Sequence, residues 1–404
     1  MERILKYSIE KISLVSLDYK RYLYNDLVDI NEKIVWVVWL RWVWKTTLLL
    51  QIANKNKEKS VYFSMDSVFV KWKTIFEIAE ELYNNFGFRY FFIDEIHKYK
   101  NWEQDLKTLY DFFDDIKIYF SWSSSIDLIK WNYDLSRRWL LFHLNKFSFR
   151  EFLYLKYKLS LENIKLDVLL KDYKNLSLSI YTKENKIWKY FKEYLSFWEL
   201  GFAFNTEEKY YNDKFWNIIN KIIYEDISSF YNLKTENINY FFEILKFIAN
   251  SSPSDINYSN IAKLLHTTPD TVKFYINILS EIGLINIFWV EWKISVNLRK
   301  TKKIMFELTA FLQYFSDNLN TENTIWSIRE SFVISMLNKF WKVFYPEKWD
   351  VLFVYDKNKY VFEIWWKNKT FKQIKNIENS FLIKDDIEIA KEREIPIWLL
   401  WLLY

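Results

Sequence analysis

Short apolar runs alternate with amphipathic stretches along the first third of the chain. Residues 1–30 set Ile4, Leu5, Ile9 and Ile12 against charged positions, the spacing of a helix with one apolar face. From Ile34 the pattern changes. Ile34–Val38 predicts a buried strand, Thr46–Asn54 a helix, Val61–Ser64 a second strand, Trp72–Phe86 an amphipathic helix and Arg89–Ile93 a third strand. Trp102–Phe113 predicts a helix, Lys117–Phe120 a fourth strand and Leu140–Leu144 a fifth. Apolar strands alternating with helices predict an α/β fold, a parallel sheet covered on both faces. Ligands of such sheets bind beyond the carboxyl ends of the strands. Trp39–Thr47, Asp94-Glu95 and Ser121–Ser125 all fall there.

The remainder divides less sharply. Residues 151–235 predict a mainly helical region after a core of residues 1–150. Residues 236–298 carry a helix-turn-helix pattern of the winged-helix kind. Tyr258–Leu265 is its first helix, and Thr268 caps a second at Asp270–Ile282, with Pro269 in its first turn and Gly283 closing it. Ile285–Val296 would be the hairpin of a wing. Residues 299–404 predict a small α/β domain with strands near Val351–Tyr355, Tyr360–Ile364 and Ile397–Leu403.

Composition changes this picture at one letter. The 404 residues include 3 Gly and 21 Trp. About 28 glycines would be ordinary at this length, and the two counts together come close to that figure. Many tryptophans stand where turns want glycine: Trp349 before Asp350, Trp122 between two serines, and Trp365-Trp366 before Lys367. A gene that spells glycine as UGA, translated with a table that reads UGA as tryptophan, accounts for both anomalies. Trp102 and Trp398 read as genuine tryptophans.

Charge and cysteine usage mostly exclude. A net charge of +5 does not by itself argue for nucleic acid. With no cysteine there is no disulfide, thiolate metal site or thiol nucleophile. His97, His143 and His266 lie too far apart in sequence to suggest a ligand set. No apolar stretch approaches the roughly 20 residues that span a bilayer. The expectation is a cytoplasmic protein without a membrane partner.

Trp39-Leu40-Arg41-Trp42-Val43-Trp44-Lys45-Thr46-Thr47 becomes, with glycine for each tryptophan, a phosphate-binding loop of the form GxxxxGK[ST]. Such a loop needs glycine because backbone N–H groups wrap closely round phosphates in conformations that a Cβ opposes. Lys45 would reach the β- and γ-phosphates of ATP, and Thr46 would set its hydroxyl on Mg2+. Tyr90-Phe-Phe-Ile93-Asp94-Glu95 reads as a Walker B strand. Asp94 would hold Mg2+ through water, and Glu95 would orient and deprotonate the attacking water. Ser123, in the serine cluster after the fourth strand, would stand by the γ-phosphate. Arg138 would stabilise charge on the transferring phosphoryl group, in its own subunit or a neighbour's.

On these motifs the chain resembles the prokaryotic AAA-type P-loop ATPases that carry a C-terminal domain of unknown function with a restriction-endonuclease-like core. Also matching are Phe92-Ile-Asp-Glu-Ile-His-Lys-Tyr99, Trp102-Glu-Gln-Asp-Leu-Lys107, Leu135-Ser-Arg-Arg138, Phe147-Ser-Phe-Arg-Glu-Phe-Leu153 and Tyr194-Leu-Ser-Phe-Trp198. The resemblance implies ATP binding, hydrolysis and a winged-helix segment after the ATPase core. An ATP-driven conformational switch, with a protein partner or homo-oligomer, is the first functional expectation. In the nuclease-like core it implies, Asp350 and Glu363 would gather metal, with Glu330 on a preceding helix. The lysine that usually follows two positions after the glutamate is Trp365 here, with Lys367 nearby. An ATP-gated DNA-binding or nuclease-like effector is the alternative. Literal tryptophans in the loop would instead make a non-catalytic interaction protein.

Overall fold

Five parallel strands form the sheet of the first unit. The computed structural model describes residues 1–38, 41–122, 137–231, 233, 235–251, 257–288, 303–319, 324–346, 349–365, 374–385 and 387–403. The chain divides into two compact units, Met1–Lys146 and Phe147–Tyr404.

The first unit runs α1 (Glu2–Leu14), α2 (Tyr24–Val28), β1 (Ile34–Val38), α3 (Lys45–Lys55), β2 (Ser60–Ser64), α4 (Ile75–Phe86), β3 (Tyr90–Asp94), α5 (Trp102–Phe112), β4 (Lys117–Trp122) and β5 (Leu140–His143). Strand order is β2-β3-β4-β1-β5, every neighbouring pair parallel. This is the parallel α/β sheet that the apolar pattern predicts. Its inner strands bury almost every residue, because helices cover both faces. Each wholly buried Ile or Phe on them, such as Ile34, Phe91 or Phe120, contributes roughly 1.5–3 kcal/mol. At the β2 edge the Tyr62 N–H donates to Ser8 Oγ of α1 at 2.8 Å, so the helix satisfies a group the sheet leaves unpaired.

Helix α4 begins three residues later than its apolar pattern suggests. Thr74 closes a reciprocal capping box with Glu77, which leaves Trp72 outside the helix and 92% exposed. Residues 15–23 separate α1 from α2, where the pattern predicts one continuous helical stretch.

The second unit begins with helices, including Phe149–Tyr157, Leu166–Lys183, Ile187–Tyr194 and Tyr211–Lys221. Helices Tyr258–Leu264 and Pro269–Glu281 follow, the second capped by Thr268, whose Oγ1 accepts from Thr271 N at 3.2 Å. Strand β6 (Ile285–Phe288) pairs antiparallel with β7 (Lys303–Phe306). The partner strand thus starts beyond the expected end at Val296, and Trp289 and Trp292 lie outside the described residues. A second sheet has the order β12-β11-β10-β9-β8. Its strands are β8 (Val343–Phe344), β9 (Val351–Tyr355), β10 (Asn358–Trp365), β11 (Ser380–Lys384) and β12 (Glu394–Pro396).

The closing run corrects the sequence expectation. Ile397–Leu403 is a 3-10 helix, buried at every residue, and not a strand. An uninterrupted apolar run has no periodicity to separate a buried strand from a buried helix. Strands β8, β11 and β12 have no counterpart in the sequence expectation.

Candidate functional site

The carboxyl ends of β1, β3 and β4 bring the motif residues together. β1 leads into the loop, and α3 starts at Lys45, itself only 7% exposed. Thr46 Oγ1 donates to Asp94 Oδ2 at 2.5 Å. Ser121 Oγ, on β4, donates to Asp94 Oδ1, and the Glu95 N–H reaches the same oxygen at 3.2 Å. The Glu95 N–H also lies 3.3 Å from Ser121 Oγ. A loop lysine, a threonine hydroxyl, a buried carboxylate and a serine hydroxyl therefore share one site.

Oxygen donors of this kind suit Mg2+, which commonly takes one or two carboxylates together with substrate phosphates and water. Among the described residues no group of three His, Cys, Asp or Glu side chains could hold a metal alone. The fit is therefore to a nucleotide-borne ion and not to an all-protein cage. Thr46 and Asp94 are the residues that would hold it.

The loop backbone has the conformation that glycine favours. Trp42 has φ 68° and Trp44 φ 64°, both in the left-handed region. A Cβ there costs roughly 1–2 kcal/mol per residue. Trp39 and Leu40 lie outside the described residues. Arg41 is half-buried, Thr47 is half-buried, and Val43 is 1% exposed. Val43 offers its carbonyl to Arg21, a residue the motifs did not flag. Arg21 is 1% exposed and donates also to Asn145 O at 2.7 Å and Lys146 O at 3.4 Å.

Glu95 has φ 50°, a further left-handed residue that is not glycine. Its Oε2 is 3.4 Å from His97 Nε2. Burial holds the His97 imidazole well down, to about 3, and Lys98, Arg41 and Lys45 add to the effect. The ring is therefore neutral near pH 7, and this contact is not an ion pair. The folded-state value lies below the unfolded one of 6.5, so this stability is present above pH 6.5 and is lost as pH falls toward 3. Between those values wild type should lose up to about 1.4 kcal/mol per pH unit from this proton alone. Denaturant unfolding at stepped pH checks it: His97→Gln should flatten the slope, and parallel wild-type and variant curves would refute the assignment.

One expected residue stands apart from the site, and another lies outside the described residues. Ser123 lies outside the described residues, and Ser121 is the serine that meets Asp94. Arg138 lies two residues before β5, which runs parallel to β1, so it stands at the amino end of the sheet, away from the loop. There its guanidinium lies 3.5 Å from Asp111 Oδ1 and over the Tyr110 ring at 5.6 Å. Its parallel strand direction keeps it from Asp94 of the same chain.

In the second unit, Lys303 Nζ meets Glu330 Oε1 at 2.6 Å with both side chains almost wholly buried, and it sits 3.5 Å over the Tyr345 ring. Burial raises the Glu330 carboxyl to about 7 despite the lysine. The Asp350 N–H donates to Glu363 Oε2 at 3.3 Å, and the Ile364 N–H to Asp350 Oδ2 at 2.9 Å. Glu330, Asp350 and Glu363 are thus near one another, with a lysine from β7 where the motif expected one from β10. Lys367 lies outside the described residues.

Two family models match parts of the chain. Residues 31–153 match the family model of an AAA domain. Residues 202–322 match a domain of unknown function. An uncharacterized protein of Methanocaldococcus jannaschii is 26% identical over 303 residues, 71% of this chain. The chain spans 62% of that relative's length. Among solved structures, a Walker-type ATPase of Pyrococcus abyssi aligns over 72% of this chain and 93% of its own, with 13% identity and a TM-score of 0.40. The RuvB Holliday junction branch migration motor of Thermotoga maritima aligns over 71% and 89%, with 16% identity and a TM-score of 0.27. No helix among the described residues is long and apolar enough to cross a membrane.

Proposed function

We propose that the first unit binds ATP with Mg2+ and hydrolyses it, and that native protein carries glycine at positions 39, 42 and 44. The observation that supports this most is the convergence of Lys45, Thr46, Asp94 and Ser121 beyond a loop whose two described tryptophans both have positive φ. A phosphate at the start of α3 would face the helix N-terminus, where orphan N–H groups and the dipole favour anions. Lys45 would hold the β- and γ-phosphate oxygens. Asp94 and Thr46 would orient the coordination sphere of Mg2+, which when bound neutralises charge developing on those oxygens. Glu95 would accept the proton of the attacking water.

The switch follows from Arg21. Its guanidinium joins the loop carbonyl of Val43 to the carbonyls of Asn145 and Lys146. The chain passes from Lys146 into the second unit at Phe147. A change at the loop on nucleotide binding would therefore alter the segment that leaves the domain. Arg138, turned away from its own site, is free of that role within one chain and would act only toward a neighbour's.

DNA cleavage by the second unit has less support. The cation beside Glu330 is Lys303 of this chain, and no group of three described His, Cys, Asp or Glu side chains in this unit could hold a metal. The exposed positions of helix Pro269–Glu281 include Lys273 but also Asp270 and Phe274, a poor set for reading bases.

Protein made with glycine at 39, 42 and 44 should turn over ATP in the presence of Mg2+. Glu95→Gln should lower turnover about 10²–10⁴-fold, the usual worth of a general base, while ATP binding persists. Absence of both binding and turnover in the glycine protein would overturn the reading.

A further inference from the structure

Asp94 is more heavily engaged than its two motif partners require. Its Oδ2 accepts from Thr46 Oγ1 at 2.5 Å and from the Tyr62 hydroxyl at 3.0 Å. Its Oδ1 accepts from Ser121 Oγ and from Glu95 N. A carboxylate offers about four lone-pair sites, so the four donors use all of them. Tyr62 comes from β2, the edge strand, and belongs to neither nucleotide motif.

The phenol is well fixed. Tyr62 is 2% exposed, and its own N–H is held by Ser8 Oγ. Tyr7 of α1 packs on its ring with centroids 6.1 Å apart. Thr46 and Ser121 hold Asp94 through small hydroxyls, each set by one side-chain torsion. Tyr62 cannot leave without shifting a buried ring.

We infer that Tyr62 is a positioning residue for the metal: it pins Oδ2 of Asp94 beside Thr46 and so fixes the orientation of the carboxylate that would hold the ion. The inference rests on the ATP and Mg2+ reading of the site. Groups that orient a metal-ligating carboxylate typically carry 10–100-fold in metal affinity.

The test uses the full chain with glycine at 39, 42 and 44, with and without Tyr62→Phe. A fluorescent ATP analogue is titrated first in EDTA and then across a Mg2+ series, and free Mn2+ is followed by electron paramagnetic resonance. Tyr62→Phe should bind the analogue in EDTA as the parent does. It should need about 10–100-fold more Mg2+ for half-maximal tightening, with Mn2+ weakened alike. Unchanged or tighter metal binding overturns the inference and leaves the nucleotide reading standing. Loss of analogue binding in EDTA by the variant alone also overturns it, because the phenol would then support the fold and not the metal. If the parent binds no analogue with or without Mg2+, the nucleotide reading itself has failed.

Discussion

Replacing Trp39, Trp42 and Trp44 together by glycine should convert a chain that binds ATP poorly into one that binds it roughly 10- to 1,000-fold more tightly. The estimate starts from backbone strain. Trp42 and Trp44 both have φ near 65°, with values of 68° and 64°. Each left-handed residue bearing a Cβ costs about 1–2 kcal/mol, so the two together oppose the cradle by roughly 2–4 kcal/mol. If only a fraction of molecules hold the binding-competent loop, the apparent affinity falls by that fraction. Each 1.4 kcal/mol is a factor of about ten. Trp42 is also 47% exposed, so its indole gains little burial to offset the strain. Isothermal titration of both proteins with ATP decides the matter. Equal affinities would mean that the indoles do not obstruct the loop.

The second large effect is Lys45→Ala. Lys45 is the first residue of α3, directly after the loop, and is 7% exposed. A hydrogen bond to a charged group is worth about 1.5–3 kcal/mol. Its loss should weaken ATP about 10- to 150-fold in the glycine protein. Lys45→Arg should not restore binding fully, because a planar fork is not a compact point charge. The same titration measures this, and a Lys45→Ala protein that binds ATP as its parent does would remove the lysine from the phosphate site.

Much of this site was legible from sequence because its signals are local. β1, β3 and β4 are apolar runs of five or six residues, each followed by a polar motif at the sheet's carboxyl end. Thr46 and Asp94 follow from motif spacing, and they meet as expected. What escaped notice depends on tertiary placement. Tyr62 looks like one more apolar residue of a strand, and only the fold aims its hydroxyl at Asp94. Arg21 lies in an irregular segment with no motif, yet it clamps the loop carbonyl of Val43. Ser121 does not stand out from its serine neighbours in the string; it is still on β4 and meets Asp94, while Ser123 lies outside the described residues. Arg138 was judged by its closeness in sequence to β5, and strand direction carries it to the other end of the sheet.

The second unit was harder for a related reason. Ile397–Leu403 is apolar throughout and could be strand or helix on pattern alone. Lys303 could not be assigned to Glu330 from the string, because β7 and the helix Thr324–Asn338 meet only in three dimensions.

The most direct test of the central claim is mass spectrometry of protein isolated from its native source. Trypsin cleaves after Arg41 and Lys45, which releases the loop residues 42–45 as one short peptide. The nucleotide-site account predicts Gly-Val-Gly-Lys there. Recovery of Trp-Val-Trp-Lys would contradict it and would leave a loop whose indoles stand where phosphates should bind.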